Sequence, residues 1–171
     1  TLGDQPQRVR TVRVTANYFS VIGLGPSLGR DFLPEEDQPG GPRVAILSDG
    51  LWKRRFGANR AVLGQSILLD QNSYTVIGVL SPGFELNQGE VFVPIAASTA
   101  RAPGQPTVGA YARLKPGVTV REAQAEIDGL CRGWVAEYQY PKDWGAQIWR
   151  LRDYLVREVR SSILVLAVAV A

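Results

Sequence analysis

Val108-Gly-Ala-Tyr-Ala-Arg-Leu114, Lys115-Pro-Gly-Val118 and Thr119-Val-Arg-Glu-Ala-Gln-Ala-Glu-Ile-Asp-Gly-Leu-Cys-Arg-Gly-Trp134 form the continuous stretch that decides the fold. In its first part Val108, Ala110, Ala112 and Leu114 alternate with Gly109, Tyr111 and Arg113, the period of a half-buried strand. Pro116-Gly117 supplies a turn. Thr119 and Glu122 then stand at the spacing of a capping box, in which each residue satisfies a backbone amide of the other. Val120, Ala123, Ile127, Leu130 and Trp134 follow at intervals of three, four, three and four, the apolar stripe of a helix lying on a sheet. The stripe reads as core and not as a cofactor box.

Working outward, Gln147 to Arg152 reads as a last strand, and Asp153 starts a helix that runs into the tail. From Ile163 to Ala171 every residue is apolar. Nine residues are too few to cross a bilayer, which takes about 20. Such a run is either the start of a longer membrane helix or a buried terminal element, and hydropathy leaves both open. On the other side, 96–106 has the Ala, Ser, Pro and Gly content of a linker. Val91-Phe-Val-Pro-Ile95 is a short strand whose proline puts it at an edge or at the strand's end. Ser66–Asp70 and Tyr74–Leu80 form a hairpin turning at Gln71-Asn72. Val44–Leu47 is a compact apolar strand, and Ser48-Asp49 caps a helix that places Trp52 and Phe56 on one face before Gly57 stops it. Arg8–Thr15 is the first strand, with a short helix from Thr15 to Ile22 closed by Gly23. Pro34 to Pro42, with three consecutive acids, reads as a solvated connector. The expected fold class is α+β. The first and last thirds would pair in one sheet, with a small mixed unit inserted between them.

The chemical inventory is sparse. The 171 residues hold no His and one Cys, Cys131, so the commonest general base, an internal disulfide and a multi-cysteine zinc site are all missing. Without an activating base Cys131 reads as a buried, inert thiol. Charge is modest, 19 Lys and Arg against 16 acids, and the bases are scattered, which argues against nucleic-acid binding. There is no phosphate-binding glycine loop and no Gly-x-Ser-x-Gly elbow. Glu85 with Glu90 is a carboxylate pair of the kind that chance supplies among 16 acids. The sequence therefore points to no catalytic residue, cofactor or bound metal.

Val14-Thr-Ala-Asn-Tyr-Phe-Ser-Val-Ile-Gly23 and Leu28-Gly-Arg-Asp-Phe32 resemble the opening of the MacB-like periplasmic core domain of FtsX/MacB-type ABC transporter permeases. The resemblance continues in Val44–Ser48, Leu51-Trp52, Arg55-Phe-Gly57, Val62–Gln65, Tyr74–Val79, Pro82-Gly-Phe84, Arg113–Thr119 and Ala123–Glu126. In wording it is nearest to the acidobacterial-type duplicated permeases that lack a fused ATPase. It implies a porter-like subdomain from 1–42 and 105–153, an inserted sabre-like subdomain at 43–104, and a stalk with the start of a membrane helix at 154–171. It also implies a non-catalytic periplasmic domain of an inner-membrane protein. Such a domain would transmit ATP-driven movement of the permease helices of its own chain to export or efflux. A separate cytoplasmic ATPase and a second permease copy are the implied partners, with no nucleic acid. The lipoprotein-holding hook loop of some relatives is not seen.

Trp52, Phe56, Phe84 and Phe92 read first as core residues and are otherwise the candidates for an aromatic partner contact, and Tyr154, Arg157, Glu158 and Arg160 are those for stalk coupling. Arg30 is expected to form a structural ion pair with Asp31 or an acid of the next loop. Two other readings compete: a soluble extracytoplasmic binding protein that buries its apolar tail, and an enzyme with two converging carboxylates.

Overall fold

Strand β3, Val44–Leu47, has all four side chains buried. A strand covered on both faces needs apolar residues at every position, not at every second one. The computed structural model describes residues 8–84, 88–95 and 109–154, and the chain divides into two compact units, Thr1–Ala112 and Arg113–Ala171.

In the first unit β1 (Thr11–Val14), β2 (Pro26–Gly29), β3, β4 (Ser66–Leu69), β5 (Asn72–Leu80) and β6 (Val91–Pro94) make one mixed six-stranded sheet. Its order is β1-β6-β3-β5-β2, with β4 also paired to β5. β1 runs parallel to β6, and β3 parallel to β5, while the pairs β3–β6, β2–β5 and β4–β5 are antiparallel. β6 is therefore an interior strand, and Pro94 is tolerated because it is the last residue of the strand.

Alternation along β3 feeds two cores. Ala45 and Leu47 join Leu51, Val62, Ile67, Leu69, Val76 and Val79, while Val44 and Ile46 join Phe19, Phe32, Leu80 and Phe92. Helix α2, Asp49–Phe56, lies over the first core; Ser48 Oγ caps it by accepting from Leu51 N–H at 3.2 Å, and Gly57 ends it in the left-handed conformation. Helix α1, Tyr18–Ile22, lies over the second and closes at Gly23 in the same way, but its N-cap is Asn17, two residues later than Thr15. The β4–β5 turn falls at Asp70 and Gln71, both with positive φ, which is what a two-residue hairpin matched to the sheet's twist demands. It lies one residue earlier than the Gln71-Asn72 expected.

β2 has no clear signal in the sequence, being four residues with a proline at one end and a glycine at the other. Gly29 is needed there. Its φ is +82°, and an added Cβ would come within 2.2 Å of the Ile77 carbonyl oxygen on β5.

This sheet differs from the grouping expected. β1 and β2 come from residues 1–42 and bond to β6 and β5 of 43–104, so the first third pairs with the middle of the chain and the two share their cores. The strands expected at 108–114 and 147–152 do not form among the described residues: no strand runs through 109–114, and 151–154 is helical. In the second unit α3, Val120–Tyr138, forms where the capping box put it.

Candidate functional site

Phe84 and Phe92 come together against helix α1. Their rings meet edge to face at 5.7 Å, and each also meets Phe19, at 5.6 and 5.4 Å. Phe92 is 0% exposed, so it is a core residue and not the surface contact it was a candidate for. Phe84 is half-buried on the rim of the same stack. Trp52 and Phe56 sit on the opposite face of the sheet, half-buried against the other core. The Trp52 indole N–H donates to the Asn59 carbonyl at 2.9 Å, so the ring ties α2 to the turn that follows it. The four aromatic candidates thus form no common surface. The basic residues of α2 are engaged: Lys53 pairs with Asp49 at 2.9 Å, and Arg54 with Glu90, whose other carboxylate oxygen accepts from Arg10 N–H at 3.0 Å. Glu90, half of the carboxylate pair, is thereby a structural strut joining α2 to the N-terminal side of β1. Glu85 lies outside the described residues.

The acidic connector is a clasp. Glu36 is buried and accepts from Arg30 Nη1 and Nη2 at 2.9 and 2.6 Å and from Leu33 N–H at 2.8 Å. This bidentate pair is the ion pair expected of Arg30. Burial pushes the Glu36 carboxyl upward in pKa, but the Arg30 and Leu33 hydrogen bonds outweigh it and the net direction is down. Asp37, the next acid, accepts from Ala16 N–H at 2.9 Å and pins the start of α1. Asp31, by contrast, is held above its ordinary value by burial, against a hydrogen bond from Phe32 N–H. Asp31 and Asp37 line an open hollow of about 540 Å³ together with Thr15, Asn17, Ser20 and Gln38. Among the described residues no group of three or more His, Cys, Asp and Glu is placed to hold a metal ion.

The second unit is held locally. Thr119 N–H donates to Glu122 Oε2 at 2.7 Å, and Glu122 N–H to Thr119 Oγ1 at 3.2 Å. Gln124 fastens the returning chain to α3, donating to the Ala146 carbonyl at 2.9 Å and accepting from Ile148 N–H at 2.7 Å. The apolar stripe is not a core. Val120, Ala123 and Ile127 are only half-buried, Leu130 and Trp134 are exposed, and Cys131 is the only helix residue buried. Cys131 is a free, buried thiol. Aromatic rings gather at the helix end instead: Tyr140 stacks on Trp144 at 4.7 Å, and Trp134 lies 6.2 Å from Trp144. That cluster was not singled out from the sequence, although the density of Trp and Tyr between 134 and 154 was a usable signal. Tyr154 is exposed at the end of the described chain; Arg157, Glu158 and Arg160 lie outside the described residues. No helix among the described residues is long and apolar enough to cross a membrane.

The family model for the MacB-like periplasmic core domain matches residues 1–130, which contain every strand of the sheet. A pyoverdine export ATP-binding/permease protein of Pseudomonas entomophila (strain L48) is 30% identical over 122 residues, 67% of this chain and 18% of that protein. The chain therefore spans less than a fifth of that relative. Among solved structures, the periplasmic region of MacB from Actinobacillus actinomycetemcomitans superposes with a TM-score of 0.59 at 21% identity, covering 80% of this chain and 62% of that one. A domain assigned to a permease protein of Porphyromonas gingivalis gives 0.54 at 16% identity, covering 91% and 75%. At these identities the two structures speak for the fold alone.

Proposed function

The chain belongs to the MacB-like periplasmic core domain family, and on that footing we propose that it is the extracytoplasmic domain of an ABC-transporter permease. In this reading it catalyses nothing and passes ATP-driven movement of membrane helices to export or efflux. The family match over 1–130 is the observation that carries the reading. The geometry is consistent with it. A transmitter needs a body that moves as a unit, and the six-stranded sheet with packed cores on both faces is such a body. Its ionised side chains brace neighbouring elements: Arg30 with Glu36 and Arg54 with Glu90.

In the same reading the protein sits in the inner membrane with this domain on the periplasmic side. Residues 154–171 are its stalk and the beginning of a membrane helix, with Tyr154, Arg157, Glu158 and Arg160 as the coupling residues. The energy comes from a separate cytoplasmic ATPase, and Trp52 and Phe56 are the aromatic pair left for a partner to touch. The complete gene tests the membrane attachment: a hydrophobic span should lie just before Thr1 and another should continue past Ala171. Transmission is tested in the complete permease, reconstituted with its ATPase and spin-labelled at Gln71 and Gln139. The distance distribution should change between ATP and ADP; identical distributions overturn the transmitter role. Deleting 163–171 should leave the first unit folded, whereas a binding protein that buries its tail would unfold.

A further inference from the structure

The two units use different aromatic residues. All five Phe fall between Phe19 and Phe92, whereas three of the four Trp and three of the six Tyr fall between Trp134 and Tyr154. Trp134, Tyr138, Tyr140 and Trp144 meet one another ring to ring yet stay wet, with Trp134 41%, Tyr138 58% and Trp144 39% exposed, and Tyr154 is 55% exposed. A Phe-free cluster of Trp and Tyr combines a large apolar body with an N–H or O–H tip. Side chains of that kind gather where hydrocarbon meets headgroups and water.

Position in the chain supplies a second, independent argument. Eight residues separate Tyr154 from Ile163, where the unbroken apolar run begins. At no more than ~3.5 Å per residue Tyr154, the last aromatic of the group, is tethered within about 30 Å of that run. Charge then says which attraction operates. Residues 134–154 hold three bases, Lys142, Arg150 and Arg152, against three acids, Glu137, Asp143 and Asp153, so anionic lipid has little net charge to attract. We propose that the exposed aromatic cluster of the second unit, centred on Trp134, Tyr138 and Trp144, rests in the headgroup layer of the bilayer into which the apolar run inserts. This rests on the membrane attachment proposed above. The contact is made by rings and not by charge, and it holds the foot of the domain against the lipid surface.

The test uses the 171-residue chain bound to phosphatidylcholine vesicles whose acyl chains are brominated near the headgroup, a short-range quencher of indole fluorescence. One variant keeps only Trp144 and another only Trp52, the other tryptophans being changed to Phe. The Trp52→Phe chain, which keeps three of the four indoles, is read alongside in case the triple variants fold poorly. The expected result is at least about twofold stronger quenching of Trp144 than of Trp52. Added phosphatidylglycerol and molar salt should leave that ratio unchanged. Equal quenching of the two in a chain that sediments with the vesicles overturns the aromatic contact and leaves the membrane attachment standing. Shielding of Trp144 that follows protein concentration and not lipid overturns it in favour of a second copy. A chain that does not sediment with vesicles overturns the aromatic contact and leaves the membrane attachment to the span expected past Ala171.

Discussion

β3 and α3 are the most strongly patterned strand and helix of this chain, and they end in opposite surroundings. All four side chains of β3 are buried, while of the nineteen residues of α3 only Cys131 is. Periodicity reports that a segment has an apolar side; it does not report that something covers it. β3 is covered because β5 and β6 bond to its two edges and bring the residues of both cores with them. α3 stands without such cover because a helix satisfies its own backbone and, once capped, needs no neighbour to form. The ten largest fully buried side chains all fall between Phe19 and Phe92, so the cohesion of the described chain lies in the first unit.

The contrast is broken most directly by Phe92→Ala. It removes the ring that Tyr18, Phe19 and Phe84 all meet, and should cost about 3–5 kcal/mol in urea unfolding. Trp134→Ala, the matched change in the second unit, should cost less than about 1 kcal/mol, since the ring is exposed and loses chiefly its contact with Trp144. Equal losses would mean that α3 is covered after all.

A smaller effect sharpens the electrostatic side. Glu36→Gln weakens the bidentate pair and should cost about 1.5 kcal/mol at neutral pH, discounted because Arg30 is half exposed. Glu36 and Glu90 are both held below the ordinary glutamate value of 4.5, Glu36 by Arg30 and Leu33 and Glu90 by Arg10 and Arg54, each against the upward push of burial. A lowered folded-state pKa gives stability that is present above the unfolded value and is lost as pH falls through the folded one. Unfolding of the first unit should therefore become easier as pH drops below 4.5, and Glu36→Gln should flatten that slope. Asp31, shifted upward, acts with the opposite sign and offsets part of it. An unchanged acid slope in the variant would show that the Arg30–Glu36 pair is not what titrates.

Smallest of all is the cap. Thr119→Ala removes the side-chain acceptor for Glu122 N–H and should cost about 1 kcal/mol of local helix stability. Far-UV circular dichroism and amide exchange at 120–125 should detect it, while protection in β3 and β5 stays as it was. Loss of protection in the sheet would join the two regions that the comparison separates.

Most local features could be read in advance. Ser48, Gly57, Gly23 and the Thr119–Glu122 box act where their chemistry placed them, because caps involve neighbours only three or four residues apart. β2 could not be read, since a four-residue edge strand ending in Gly29 is made by the approach of β5 and not by any pattern of its own. An ion pair of Arg30 with a loop acid could be read, but not that the acid is Glu36 nor that it is buried. The stripe of α3 reads as core and is not, because burial belongs to what packs on a residue.

By itself the sequence determined five of the six strands, the three α-helices, most caps, the absence of histidine chemistry and the family, all properties of residue identity and short spacing. Only the tertiary structure decided that the first third joins the middle in one sheet, that Phe92 is core, and that the tryptophans near the end of α3 face outward. Those depend on contacts between residues far apart in the chain, whose loop-closure cost and edge pairing no local period encodes.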